Sequence, residues 1–325
     1  MAEIRCPTTR VGSHRVGDRT AALRSGRRAC SVRLFALAVV ANASVASALL
    51  PPARTGNCYV SNFGSDNVVV YDATGKYMRT MSVAGLDGAR GIAFGPAGRL
   101  YVASQNTDEV FVFDAHEQLV TTFSDPALGG PTGMALGPTN LLYIASYDND
   151  QIVVLDLAGT VQRTFTGGGM NGPNCVAFDA DGNIYVSSAL TSNVLKFDAN
   201  ENFVKSFTGA GLSSPMGIAR DTAGVLYVAG GGSHNIVKFD RDGNVLGTLT
   251  HPDLTGPQGV AFDENGHLFS SSFYQNVVVE FDAAGGYVRT IDAGGLQVPR
   301  SIAFDPTLAT AANGSTWSQV KVLFR

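Results

Sequence analysis

With 325 residues, 45% of them hydrophobic and 15% charged, the chain can bury a large core, which excludes an intrinsically disordered protein. Its 38 glycines and few strong helix-forming runs favour one large all-β unit over two average domains. A net charge of −4 lacks the basic excess that neutralising phosphates demands, so a nucleic-acid binder is set aside.

Residues 1–48 form a segment of their own. They hold eight Arg and no Lys against Glu3 and Asp18, and eight minus two gives +6. The apolar run from Leu34 to Val40 is too short to cross a bilayer and leads into Ala46-Ser47-Ala48, a small-x-small cleavage pattern. A secretory signal peptide with a long basic n-region is expected here, with an uncleaved anchor or an organelle transit peptide as alternatives. Cleavage would leave 23 − 8 = 15 basic and 27 − 2 = 25 acidic residues, a mature chain near −10 that is secreted or periplasmic and free of the membrane. Cys6 and Cys30 would depart with it.

After a linker at 49–57, one unit recurs six times with a period of 42 residues. An aromatic stands at Tyr59, Tyr101, Tyr143, Tyr185, Tyr227 and Phe269, inside strings such as LYVAS and IYVSS. A second segment closes on Asp72, Asp114, Asp156, Asp198, Asp240 and Asp282; a third, GIAF-like, carries Ala93, Ala135, Ala177, Ala219, Ala261 and Ala303. A more variable fourth, such as YMRTM, follows each aspartate. These β-branched and aromatic runs, separated by Gly, Asn and Asp turns, predict antiparallel hairpins and hence four short strands per unit. The fold expected is an all-β, six-bladed β-propeller spanning 58–306, with the alanine strand innermost because small residues fit near the axis. Ring closure is predicted from the numbering: the C-terminal strand around Ile302 joins three N-terminal strands that begin near Tyr59. The tail at 307–325 falls out of register.

The pattern GPxGIAFDxxGxLYVAS followed by NVVVFDxxG resembles the NHL-repeat propellers over roughly residues 58–306. That resemblance implies an extracellular sensor or binding domain or a protein- or RNA-binding platform, and in a minority of cases a lyase or lactonase. Fold alone does not decide among them.

Tight turns such as DADGN at Asp179 to Asn183 imitate calcium loops, yet the twelfth positions counted from Asp179 and Asp240 are Leu190 and His251, where an EF-hand requires Glu. Asx-capped turns are the expectation. The opposite face carries variable loops, where a site would be built. The residue before each inner strand is expected to rim the channel: Arg90, Thr132, Asn174, Met216, Gln258 and Arg300. Loop tips add Phe63, Asn106, Tyr147, Leu190, His234 and Tyr274. Arg90 and Arg300 fall in neighbouring blades and could grip one carboxylate or phosphate, or else pair with acidic loop residues such as Asp87.

Gluconolactonase-type propellers are similar in placing Asn before the inner strand, as at Asn174, but need acidic metal ligands around the ring. Streptogramin lyases and peptide-amidating lyases use channel histidines. Here His116 and His267 are assigned to the tight-turn face, His251 to an outer strand, and His234 stands alone on the variable face, so no zinc site is expected. Cys58 and Cys175 fall in opposite blades and read as buried free thiols. Arg220 stands where Phe94, Phe178, Phe262 and Phe304 stand elsewhere, so it should be paired or solvated. Ser270 and Ser271 should cost a little packing. The reading is a monomeric, non-catalytic binding scaffold without cofactor or metal, taking a polar or anionic small molecule, a peptide or a protein on the variable face. A lyase or hydrolase with a metal at the channel is the alternative.

Overall fold

The computed structural model describes residues 56–306; the leader with Cys6 and Cys30, the linker up to position 55 and the 307–325 tail lie outside the described residues. Within that span the chain forms six four-stranded antiparallel sheets, one per repeat, arranged as a six-bladed β-propeller. Inner strands of blades 2 to 6 are Ala89–Phe94, Pro131–Leu136, Pro173–Phe178, Pro215–Arg220 and Pro257–Phe262. Blade 1 is the composite expected from the numbering: Pro299–Phe304 pairs with Cys58–Asn62, with Ile302 opposite Val60 and Phe304 opposite Cys58.

Packing between blades repeats as the sequence does. The aromatic of one second strand meets the Phe that ends the next inner strand, edge to face, at 5.1 Å for Tyr59 and Phe94, 4.9 Å for Tyr143 and Phe178, and 5.0 Å for both Tyr227 with Phe262 and Phe269 with Phe304. Such pairs add to area burial at each interface. Blades 1 and 2 are further joined where Arg79 Nε donates to Glu117 at 2.8 Å and the Tyr59 hydroxyl donates to the same carboxylate at 2.7 Å. The equivalent group two blades on is Arg163, Glu201 and Tyr143.

The Asp turns behave as expected. Asp72, Asp114, Asp156, Asp198, Asp240 and Asp282 each accept the backbone N–H two and four residues on, at 2.7 to 3.0 Å. The Thr74 hydroxyl donates to Asp72 as well and holds its carboxyl below the usual range.

Three expectations need correction. The alanine strand is innermost, but the tightest position lies two residues earlier: a Cβ at Gly133 or Gly217 would come within 2.5 Å of the next blade's Asn174 or Gln258 carbonyl oxygen. Steric contact between adjacent inner backbones, rather than the taper alone, selects glycine there. Ser270 and Ser271 are fully buried but satisfied: Ser270 Oγ donates to Gly259 O at 3.0 Å, while Ser271 Oγ accepts from Gly259 N–H at 2.8 Å and donates to Arg300 O. Packing is exchanged there for hydrogen bonds that fix the backbone under Arg300. Both remaining thiols are free, but only Cys58 is buried; Cys175 is half-buried at the hub.

Candidate ligand-binding mouth

Each inner strand starts at one face of the ring and ends at the other, so the six residues before the tight hub positions, Gly91, Gly133, Cys175, Gly217, Gly259 and Ser301, lie at the height of one opening. Four of them, Arg90, Asn174, Gln258 and Arg300, line a cavity of about 30 Å³ together with Gly91, Gly133, Gly217 and Gly259. Thr132 does not join them. It is fully buried, and its hydroxyl hydrogen-bonds at 3.1 Å to Ala145 O and Pro173 O, linking blades 3 and 4. Met216 is half-buried beside Gly231. Below the mouth the channel widens to about 320 Å³, where Ile92, Met134, Val176, Ile218, Val260 and Ile302, each at most 7% exposed, share the wall with the polar Arg220, Asp221, Thr222 and Ser301.

The two arginines are held by neutral groups. Arg300 Nη1 donates to Gln258 Oε1 at 2.7 Å, and its guanidinium lies 4.9 Å from the Phe63 ring and 4.7 Å from the Phe273 ring. Arg90 Nη1 donates to Gln105 Oε1, and its guanidinium sits 5.7 Å from the Tyr147 ring. Asp87 accepts from Asn106 Nδ2 at 2.7 Å instead of from Arg90. Neither arginine makes an ion pair among the described residues, and Arg300 Nε and Asn174 Nδ2 are buried donors without an acceptor. Burial, then the charge of Arg300, pushes the Arg90 guanidinium down to about 9; burial pushes Arg300 down to about 10. Both stay protonated at neutral pH. Two desolvated cations that repel each other, with the exposed Asp148 acting on Arg90 only from beyond ion-pair distance, make a site of positive potential in a chain whose formal charge is −4.

Among the loop tips, the Phe63 and Tyr147 rings lie against Arg300 and Arg90, whereas Asn106 is exposed and occupied with Asp87. Leu190 and Tyr274 are 62% and 64% exposed. The sequence reading missed Gln105 and Phe273, and a signal was available: Phe63, Gln105, Tyr147, Ala189, Gly231 and Phe273 form one column at the repeat spacing of 42. In blades 1, 2, 3 and 6 the first loop residue after the second strand meets one of the two mouth arginines.

A second column was also overlooked. Asp66, Asp108, Asp150, Ser192, His234 and Asn276 all adopt positive φ between 51° and 57°. Their side chains accept the backbone N–H of Gly88, Gly130, Gly172, Ser214, Gly256 and Val298, at 2.7 to 3.3 Å. Each latch ties a loop of one blade to the segment entering the next, so the period of 42 carries across the blade interfaces as well. His234 is a latch: its Nδ1 accepts from Gly256 at 2.8 Å, which places its proton on Nε2. His234→Asp, restoring the side chain found in blades 1 to 3, is expected to keep wild-type stability in urea, and His234→Ala to cost about 1 kcal/mol. Equal losses for both would show that the ring, not the acceptor, matters.

His267 Nδ1 lies 2.7 Å from Glu280 and His251 stacks on Tyr287 at 4.0 Å, both away from the mouth. No three His, Cys, Asp or Glu side chains come together among the described residues. Arg220 makes no ion pair among those residues either. It is half-buried, lining a cavity of about 230 Å³ with Tyr185, Asp179 and Arg241 where sister interfaces hold a Phe.

No family model and no curated protein sequence matches the chain. Solved structures do match it. A protein of unknown function from Bacteroides caccae is 15% identical, with 78% of this chain and all of that chain covered and a TM-score of 0.62. A chain of a nidogen/laminin complex is 17% identical, covering 77% and 98% respectively, with a TM-score of 0.67. A streptogramin B lyase is 12% identical, covering 79% and 92%, with a TM-score of 0.61. At these identities the likeness establishes the propeller fold and nothing about function.

Proposed function

We propose that the chain is an NHL-type propeller, exported from the cell, that acts as a non-catalytic binding scaffold with an anion site at the channel mouth. One observation carries the reading: Arg90 and Arg300 converge half-buried on one small cavity and find amides and aromatic faces there, while among the described residues no carboxylate pairs with either and the exposed Asp148 acts on Arg90 only from beyond ion-pair distance. A structural arginine of that burial is ordinarily paired. An anion from solution would supply the missing partner and give the orphaned Asn174 Nδ2 an acceptor. Propellers of this shape occur both in a nidogen/laminin complex and as a streptogramin B lyase. The lyase reading needs a base or metal ligand at the mouth, and among the described residues the histidine on that face, His234, uses its Nδ1 to accept a backbone N–H.

Screening anionic metabolites and peptides by thermal shift tests the proposal. Hits are expected with the natural chain and none with the Arg90→Gln, Arg300→Gln double variant; hits unchanged in that variant reject the site. Arg90→Gln alone should be at least as heat-stable as the natural chain, because it removes a desolvated charge without an ion-pair partner. The pH dependence has a defined sign. Binding requires the protonated guanidinium, so affinity stays level near neutrality and declines as pH rises through about 9, where Arg90 titrates.

A further inference from the structure

We infer that the ligand of this mouth is a monocarboxylate joined to an apolar, preferably aromatic, body. The inference rests on the anion-site reading above and goes beyond it in ligand class.

The head group follows from the donors around the mouth cavity, whose open side lets its size exclude neither a carboxylate nor a phosphate. The groups turned toward it are donors: the two guanidinium forks and Asn174 Nδ2, which is buried, 7% exposed, and unpartnered. The side-chain oxygens of Gln105 and Gln258 are already engaged by Arg90 and Arg300. An acceptor-only, planar anion complements that set, and guanidinium matches carboxylate in shape as well as charge.

The body follows from where exposed apolar side chains lie. Nearly all of the large ones, among them Tyr77, Leu119, Phe203, Val245 and Tyr287, belong to outermost strands of the blades. The two exceptions among the described residues, Leu190 and Tyr274, both stand on the mouth face. Tyr274 leans on Phe273 at 4.7 Å, and Phe273 in turn backs Arg300. Leu190 and Tyr147 come together over Gly172, and Tyr147 backs Arg90. Each arginine is thus flanked by an apolar shelf that continues outward to an exposed residue, so a carboxylate held between the arginines would direct its substituent onto one of those shelves. A peptide C-terminus with a large apolar last residue and a free arylalkyl acid share this chemistry.

Calorimetric titration of the full chain with acetate, 3-phenylpropionate, a short peptide ending in phenylalanine, the same peptide as its C-terminal amide, and inorganic phosphate decides the matter. The expected result is 3-phenylpropionate at least about tenfold tighter than acetate, with no binding of the amide. The Leu190→Ala, Tyr274→Ala double variant should bring 3-phenylpropionate down toward the acetate affinity. A peptide acid stronger than 3-phenylpropionate supports the inference and assigns a protein terminus, and the reverse order supports it and assigns a small acid. Phosphate equal to or tighter than 3-phenylpropionate, still dependent on Arg90 and Arg300, overturns the inference and leaves the anion site standing. Failure of every anion to bind overturns both.

Discussion

A chain ending at Val298 is expected to lose its cooperative unfolding transition, because the missing segment is the inner strand of blade 1. Pro299–Phe304 pairs with Cys58–Asn62 and places Ile302, 5% exposed, in the core shared with Val60 and Phe269. It also carries the Ser301 N–H that donates to Ser61 Oγ at 2.8 Å and the Phe304 ring that meets Phe269 at 5.0 Å. Without it the strand at Cys58 becomes an open edge and blades 6 and 2 lose the backbone between them. Losing a strand of ladder bonds and this apolar surface removes several kcal/mol, comparable with the total stability of a typical domain, roughly 5–15 kcal/mol. A chain ending at Pro306 is the control that keeps all six blades whole. Equal melting temperatures for the two truncations would refute the closure argument.

The second large effect is expected from one methyl group. Gly91→Ala puts a Cβ into overlap with the Thr132 carbonyl oxygen of the next blade, with the Gly133 Cα only 3.1 Å away. Both obstacles are backbone, so neither can rotate aside, and the inner strands must separate. A loss of about 2–4 kcal/mol is expected from overpacking of this kind. Because Thr132 is the residue displaced, its links to Ala145 and Pro173 should weaken too, loosening the mouth. Urea midpoints measure the cost, and a change below about 0.5 kcal/mol would mean that the hub is looser than described. Cys175 and Ser301 occupy the same place in blades 4 and 1, so the restriction belongs to each interface and not to the ring as a whole.

The propeller was legible because its signals are local and repeated. An unchanged period of 42 aligns Tyr59 with Phe269 and Asp72 with Asp282, and strand type follows from residues a few positions apart. The mouth was legible only in part. Counting to the residue before each expected inner strand located Arg90, Asn174, Gln258 and Arg300, although each is the second residue of a strand that starts earlier than expected, and strand register fixes their height along the axis. Thr132 obeys the same count but is buried, its short side chain sharing one hydroxyl proton between the Ala145 and Pro173 carbonyls. The loop tips failed by drift: choosing Asn106 over Gln105 and Tyr274 over Phe273 shifted the register by one residue, and one residue reverses a side chain's direction. The latches were invisible for a different reason. They depend on positive φ at residues such as Asp66 and His234, a backbone state that sequence marks only weakly outside glycine.

Closure of the ring through a shared wedge also settles how the molecule can be mounted. Cys58 lies opposite Phe304, and the Asp305 N–H donates to Asn57 O at 3.0 Å, so both ends of the propeller leave side by side from the face on which the inner strands finish. Arg90 and Arg300 belong to the face on which those strands begin. A bead or sensor chip coupled through the amino end of a chain begun at Gly56, or through the carboxyl end of one stopped at Pro306, would therefore leave the arginine-bearing opening pointing into solution, and swapping one attachment for the other would hardly alter the signal.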